Sequence, residues 1–503
     1  MIYNAPTEST VFLLKDVLGF DNELTETIVT ESAKLCEGVI APTNQVGDSE
    51  GCKYVEGKVK TPQAFKEAYK TFTEAGWTGL SVPERYGGQG LPFTLAVATN
   101  EYVSSSNMAW SLYPGISRGA IQALLVSGSE TQKNFYIPRM ASGEWTGTMC
   151  LTEPHCGTDL GILKTKAVPA SKIYNGDNDN TYHITGQKIF ISGGEHDLTD
   201  NILHLVLARV EGDPEGVKGI SLFAVPKKFD ELRNSVSCGS IEDKMGIHGS
   251  PTCVMNFDNA MGFLIGERCR GLQGMFIMMN ELRLGCAIHG LSQSELAYQN
   301  ALQYAKDRIQ SKSPVNLSGP AVPIITHPDI RRMLMDVRSI NEAARLLVLE
   351  AATLVDKGGE EAEDRLSLMT PVLKGVVTDY GVENAIKMQQ VWGGHGYVRD
   401  NGMEQIVRDA RIAMIYEGAN GIQALDLVGR KLPRNMGRAV MRFFKDSESF
   451  LTNSYENGIN PIVQPMTQAV NELKQATEWL AANGMKNPND AGGASYEIGR
   501  AHV

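Results

Sequence analysis

The sequence predicts an α+β protein: a helical N-terminal domain, a central antiparallel β domain and a C-terminal four-helix bundle, followed by a partial helical extension. Three observations predict it. Helix-type spacing of apolar residues dominates 1–145, short β-type runs broken by turn clusters fill 146–270, and long amphipathic stretches return over 271–435. A further helical stretch covers 436–496.

In the first domain, residues 23–36 and 61–75 carry helix formers with apolar spacing near 3.6, and the loop 83–92 holds GGQG at 87–90. In the second, the β-type runs are 188–192, 202–208, 220–225 and 253–257. Turn clusters such as NGDNDN (175–180) and GDP (212–214) separate them. In the third, one helix runs from about 274 to 310 without proline. Another opens at His327-Pro328-Asp329, proline in its first turn, and places Ile330, Leu334, Val337, Ala344, Leu347, Ala351 and Leu354 on one face until Gly358 and Gly359 stop it. A third starts near Thr370 and Pro371 and ends at Gly393 and Gly394, and a fourth covers about 421–431. Such Leu, Met and Ala stripes are core packing, and four helices of this kind form a bundle. After Pro433 another helical segment begins and includes 464–483.

At 503 residues and 42% hydrophobic the chain can bury a large core and is neither disordered nor fibrous. A net charge of −11 disfavours nucleic acid or an anionic membrane as main partner. The start MIYNAP lacks the basic and apolar regions of a signal peptide, and no 18-residue apolar stretch predicts a membrane span, so a cytoplasmic location is expected. Eight scattered cysteines without C-x-x-C pairs read as a reduced set. Cys150, His155 and Cys156 adjoin without metal-ligand spacing, so no metal is expected.

The most informative stretch is CLTEPHCGTDLG at 150–161. Its small and hydroxyl residues let backbone N–H groups and the Thr152 and Thr158 hydroxyls approach a polar planar ligand. GQKIFISG (186–193), WGGHGY (392–397) and IYEGANGIQ (415–423) follow in order. Together these four motifs and the helical, β, helical order resemble the acyl-CoA dehydrogenase family over about residues 1–435.

The resemblance implies FAD bound between the β domain and the bundle, partly from a neighbouring subunit, hence a homodimer or homotetramer. Flavin-facing positions would be Met149, Leu151, Thr152, Gly157, Thr158, Phe190, Ile191 and Ser192, with Phe190 where many members have Trp. Arg308 matches the arginine that meets a neighbour's FAD pyrophosphate; its alternative is a solvated helix-end charge. Gln390, Val391, Trp392, Gly393 and Gly394 match the strip beside the adenine half, and Ala419, Asn420 and Gly421 also line FAD.

Glu417 matches the catalytic base, which takes the α-proton of the acyl thioester while the β-hydride leaves for flavin N5. A solvated carboxylate is too weak a base for this. Burial would raise its pKa, and hydrogen bonds to the thioester carbonyl, one from its own backbone N–H, would stabilise the developing enolate. Thr158, Asn280, Arg283 and Gly418 are the candidate substrate contacts. Many members have Asp-x-x-Arg where this chain has Asn280 and Arg283, which puts the contact at Asn280 in doubt. Arg283 is either a CoA ligand or half of a buried ion pair.

TEPH (152–155), GTDLG (157–161), ISGGEHDL (191–198), DKMGIHGS (243–250) and the opening YNAP resemble a longer subgroup with an extra C-terminal helical region. It includes the 3-(methylthio)propanoyl-CoA dehydrogenases of dimethylsulfoniopropionate breakdown, and broader fatty acyl-CoA dehydrogenases share the motifs. Met278 and Met279 either tolerate a thioether or are plain core. The expected electron acceptor is an electron-transfer flavoprotein. An acyl-CoA oxidase would use the same residues and pass electrons to oxygen. The DNA-associated branch has a basic C-terminal region, whereas from Arg434 onward seven Lys or Arg balance seven Asp or Glu. The last seven residues, 497–503, show no apolar period and match the translation of a common sequencing adapter. They are therefore expected to be an artefact, and 436–496 a cut-off piece of the extra region. An exposed apolar patch is expected near 440–485.

Overall fold

The computed structural model describes residues 1–170, 180–229, 232–456, 460–484 and 486–501. The turn cluster expected at 175–180 lies outside these except for Asn180, as do the last two residues.

The first domain comprises α1 (Thr7–Phe12), α2 (Thr25–Leu35), α3 (Thr43–Glu50), strands β1 (Lys53–Val55) and β2 (Lys58–Lys60), then α4 (Gln63–Glu74), α5 (Phe93–Ser106), α6 (Met108–Ser127) and α7 (Glu130–Ala141). Helices α2 and α4 fall inside the stretches whose spacing predicts them. The β1–β2 hairpin carries no such signal beyond Glu56 and Gly57, which both take positive φ (49° and 76°), as a tight two-residue turn requires. Asn107 caps α6 by accepting from Trp110 N at 3.0 Å, and Ser129 and Gln132 form a reciprocal capping box on α7.

The second domain holds β3 (Trp145–Cys150), β4 (Lys166–Pro169), β5 (Thr181–Ser192), β6 (Asn201–Val210), β7 (Ile220–Pro226), β8 (Lys228–Phe229), β9 (Leu232–Arg233), β10 (Val236–Ile241) and β11 (Thr252–Ile265). The main sheet runs β10-β11-β5-β4-β6-β3, with β7 paired to β11 and β6. Most pairings are antiparallel, as expected, but β6 lies parallel to β3 and to β4. Local turn signals announce hairpins. A parallel pair joins strands that are distant in sequence, so no turn reveals it.

The third domain is α8 (Gly271–Asp307), the hairpin β12 (Ile309–Ser313) and β13 (Asn316–Pro323), α9 (Pro328–Lys357), α10 (Gly359–Val391), α11 (Met403–Arg411) and α12 (Asn420–Asp426). Helix α10 begins at Gly359, well before the start expected near Pro371, and holds Pro371 inside it. A proline there forfeits one backbone hydrogen bond. Burial of Leu368, Val372, Leu373 and Val376 around it outweighs that loss. The expected fourth helix is α12 prolonged by a π-helical turn at Leu427–Lys431, with α11 before it. Arg345 on α9, 1% exposed, binds Glu101 of α5 (2.7 Å) and Glu295 of α8 (3.1 Å) and so ties the first domain to the bundle. Removing one partner from such a buried cluster costs about 3–5 kcal/mol.

Helices α13 (Arg438–Glu456), α14 (Asn460–Asn483) and α15 (Pro488–Ala501) follow. Phe444, Leu473 and Leu480 share a core with Val372, Val376 and Leu427 of the bundle. Within the stretch where an apolar patch is expected, Met441, Phe450, Ile462 and Trp479 are 68%, 59%, 59% and 43% exposed. Helix α15 extends through 497–501, where no periodic structure is expected, because Ile498 packs against that core. All eight cysteines are free, and no helix among the described residues is long and apolar enough to cross a membrane.

Candidate active site

Glu417 sits between the end of the 3₁₀ turn Ile412–Met414 and α12. It takes φ +55° and Gly418 φ +87°, two consecutive left-handed residues. For a non-glycine residue that conformation is strained and must be held from outside. Gln423 holds it: its Nε2 donates to Glu417 O at 3.1 Å and to Gly418 O at 3.0 Å. Glu417 is half-buried as a residue, yet its Oε2 is enclosed and has no hydrogen-bond partner among the described residues. Burial pushes the carboxyl up to about 7, against the charges of Arg283 and Lys374, which favour the anion.

The surrounding groups come from two long helices. Arg283 on α8 pairs with Asp426 at 3.2 Å, both largely buried. Thus the ion-pair alternative for Arg283 is present, although its Nε remains without a partner. Cys286, one turn on, is buried beside Glu417, and burial pushes its thiol up. His289 Nδ1 lies 2.5 Å from the Tyr416 hydroxyl. Burial, aided by the charge of Arg118, holds the imidazole down at about 4, so it is neutral and accepts from Tyr416. Lys374 of α10 donates to Asn420 Oδ1 at 2.7 Å.

Asn420 is 6% exposed, and its Nδ2 reaches Asp379 Oδ1 at 2.7 Å, so its side chain is committed inward rather than lining an open face. Asn280 is exposed at the start of α8, as are Gly157 and Thr158 in the 151–165 loop. Met149 and Leu151 share an apolar cluster with Met278, Met279 and Leu282, which brings the end of β3 against α8 just before Arg283.

That loop is pinned from below. Glu153 accepts from Lys164 N, Thr165 N, the Thr165 hydroxyl and Lys188 Nζ, the last at 2.9 Å. Burial raises the Glu153 carboxyl, but Lys188 and these donors outweigh it and hold it below its ordinary range. Opposite, β5 carries one extra residue against β11: Lys188 to Ile191 spans three steps while Met255 to Cys253 spans two. This bulge puts Phe190 at φ +58°, its ring 58% exposed, with Ile191 buried on the other side and Ser192 half-buried.

The remaining positions cluster elsewhere. Trp392 stacks on Tyr304 at 4.2 Å, and Arg308, exposed and without a side-chain partner among the described residues, lies one turn beyond Tyr304. Val391 is buried; Gln390, Gly393 and Gly394 are exposed. Arg308, the residue that caps the C-terminus of α8, stands twenty-five positions after Arg283, or ~37 Å at ~1.5 Å per residue. One chain therefore presents two separate groups of the expected cofactor positions.

The FAD implied by the sequence fits these surfaces. A Cβ added at Gly157, Gly393, Gly394 or Gly421 meets no atom within 4 Å, so each borders open space. Trp392 Nε1 is buried without a partner, and Phe190 offers an aromatic face beside the loop. Ala419 is half-buried at the edge of the Glu417 loop. Cys150, His155 and Cys156 do not converge: they face Thr148, Ile162 O and Asp159 O respectively.

Sequence reasoning missed the supports: Glu153 with Lys188, Lys374, Gln423 and His289. Lys374 and Lys188 had one signal, a lone lysine inside an otherwise apolar or small run.

Comparison with known proteins places the site in context. Residues 25–144 match the N-terminal domain of acyl-CoA dehydrogenases, 148–260 the middle domain and 270–432 the C-terminal domain. A 3-methylmercaptopropionyl-CoA dehydrogenase of Ruegeria pomeroyi is 42% identical over 476 residues, 92% of this chain and 80% of that protein. A broad-specificity linear acyl-CoA dehydrogenase of Mycobacterium tuberculosis is 33% identical over 494 residues, 91% of this chain and 79% of that one. An acyl-CoA dehydrogenase of Bacillus anthracis, solved in complex with FAD, superposes with a TM-score of 0.77 at 22% identity, covering 96% of this chain and 80% of its own.

Proposed function

The chain belongs to the acyl-CoA dehydrogenase family, whose members are FAD-dependent oxidoreductases, and from that premise we propose that it introduces an α,β double bond into 3-(methylthio)propanoyl-CoA with Glu417 as the base. The observation that carries the dehydrogenation and its base is the Glu417 carboxyl, held on a strained turn with an enclosed Oε2 that has no partner among the described residues, and pushed up to about 7.

A base near the operating pH combines a sizeable anionic fraction with enough driving force to take a weakly acidic α-proton. Arg283 and Lys374 keep enough of it ionised. The left-handed turn at Glu417 and Gly418 is fixed by Gln423, and the Glu417 backbone N–H would donate to the thioester oxygen. The chemistry supplied by FAD, when bound, is acceptance of the β-hydride. Met149, Leu151, Thr152, Gly157, Thr158 and residues 190–192 would hold the ring system, and Met278 and Met279 pack in the same apolar cluster as Met149 and Leu151. Arg308 and the 390–394 strip would serve the cofactor of a second copy, which the ~37 Å separation along α8 supports. Eight free cysteines fit a reducing compartment such as the cytoplasm, and an electron-transfer flavoprotein is the proposed acceptor.

The substrate reading rests on the 42% identity to the Ruegeria protein. The 33% identity to a broad-specificity enzyme supports a second reading, ordinary fatty acyl-CoA. Purified Glu417→Gln should stay yellow and bind acyl-CoA but lose anaerobic flavin bleaching; bleaching at near-native rate removes the base assignment. Comparing kcat/KM on 3-(methylthio)propanoyl-CoA with butanoyl- to octanoyl-CoA separates the two substrates, and oxygen consumption separates an oxidase.

A further inference from the structure

The last C-terminal helix, α15, packs against α10 and against α12, the helix that follows the base. Tyr496 on α15 donates its hydroxyl to Asp379 Oδ2 on α10. The other oxygen of Asp379 accepts from Asn420 Nδ2 at 2.7 Å, and Asn420 Oδ1 accepts from Lys374 Nζ at 2.7 Å. Asn420 Nδ2 also reaches Gly375 O and the Thr378 hydroxyl, each at 3.0 Å. Asp379 is 2% exposed and Lys374 fully buried, so neither can trade these partners for bulk water. Asn420 opens α12 three residues after Glu417, and its amide has one orientation that satisfies both the anion and the cation.

We propose that Tyr496 is a positioning residue for the base, acting through Asp379 and Asn420. This rests on the reading of Glu417 as that base. The Tyr496 hydroxyl completes the shell of Asp379, which fixes the Asn420 amide. The amide in turn holds the first residue of α12 and the ammonium of Lys374. Lys374 and Arg283 are the two cations that favour the Glu417 anion, and Cys286 and Tyr416 are the other titratable groups against it. The extension is thereby part of the catalytic framework rather than an appendage.

Tyr496→Phe in the full-length holoenzyme keeps the ring and removes the O–H. FAD content and KM should stay at wild-type values. The rate constant for flavin reduction should fall about three- to tenfold, the worth of one ordinary hydrogen bond. The acid limb of its pH profile should move alkaline, because Lys374 is less firmly held. Asp379→Asn should act in the same direction, and in the Asp379→Asn background Tyr496→Phe should add little. An unchanged rate and limb in Tyr496→Phe, or a full second loss in the double variant, overturns the proposal. Continued flavin reduction by Glu417→Gln instead overturns the base assignment, whatever Tyr496→Phe does.

Discussion

Arg283 and Asp426 form a buried ion pair, Nη1 to Oδ2 at 3.2 Å, that joins α8 to the helix following the base. The pair fixes the guanidinium where its charge reaches Glu417. Arg283→Met should therefore act on stability and on the base together. Among the described residues it leaves Asp426 with the exposed Arg430 at 3.5 Å as its ion-pair partner, a loss of about 3 kcal/mol in thermal or denaturant unfolding. It should also move the acid limb of flavin reduction further alkaline. A raised KM for the thioester with unchanged stability would instead make Arg283 a CoA ligand alone.

The pH dependence follows from Glu417. Its carboxyl sits at about 7 in the folded protein against an ordinary 4.5. The active form is the anion, so flavin reduction should rise as pH passes upward through about 7. Between these values the native state holds a proton that the unfolded chain has released. Stability should therefore fall as pH rises through the same window. Glu417→Gln should flatten that part of the stability curve, which unfolding at a series of pH values measures.

Glu153 and Lys188 should behave as a unit. Lys188 is fully buried, and among the described residues its ammonium has Glu153 and Leu151 O as its acceptors. Glu153→Gln strands that charge and should cost about 3–5 kcal/mol together with FAD occupancy. Glu153→Gln combined with Lys188→Met should recover most of the stability. The 450 nm absorbance per chain and the melting temperature report the two effects separately.

Gly418→Ala tests the turn. At φ +87° an L side chain is strained, and the new Cβ would stand 2.6 Å from Gln423 Nε2, the group that bridges both carbonyls. Strain of about 1–2 kcal/mol should fall on the loop alone. The expected result is a large drop in flavin reduction with near-native melting, and equal losses in both would mean the turn is a general stability element.

The sequence by itself determined the order of domains, the four motifs and the position of Glu417, because each rests on local information: periodicity, turn residues, or a short ordered string. It also exposed Asn280 as a departure. It could not place the start of α10, since Pro371 is a local breaker that only packing of Leu368, Val372 and Leu373 overrides. Nor could it pair β6 with β3 and β4, reveal the bulge that turns Phe190 outward, or show that Arg283 pairs with Asp426. The partners in those relationships lie tens to hundreds of residues apart. The pKa of Glu417 is likewise a tertiary property: desolvation and the charges of Arg283 and Lys374 exist only after α8, α10 and the loop have come together.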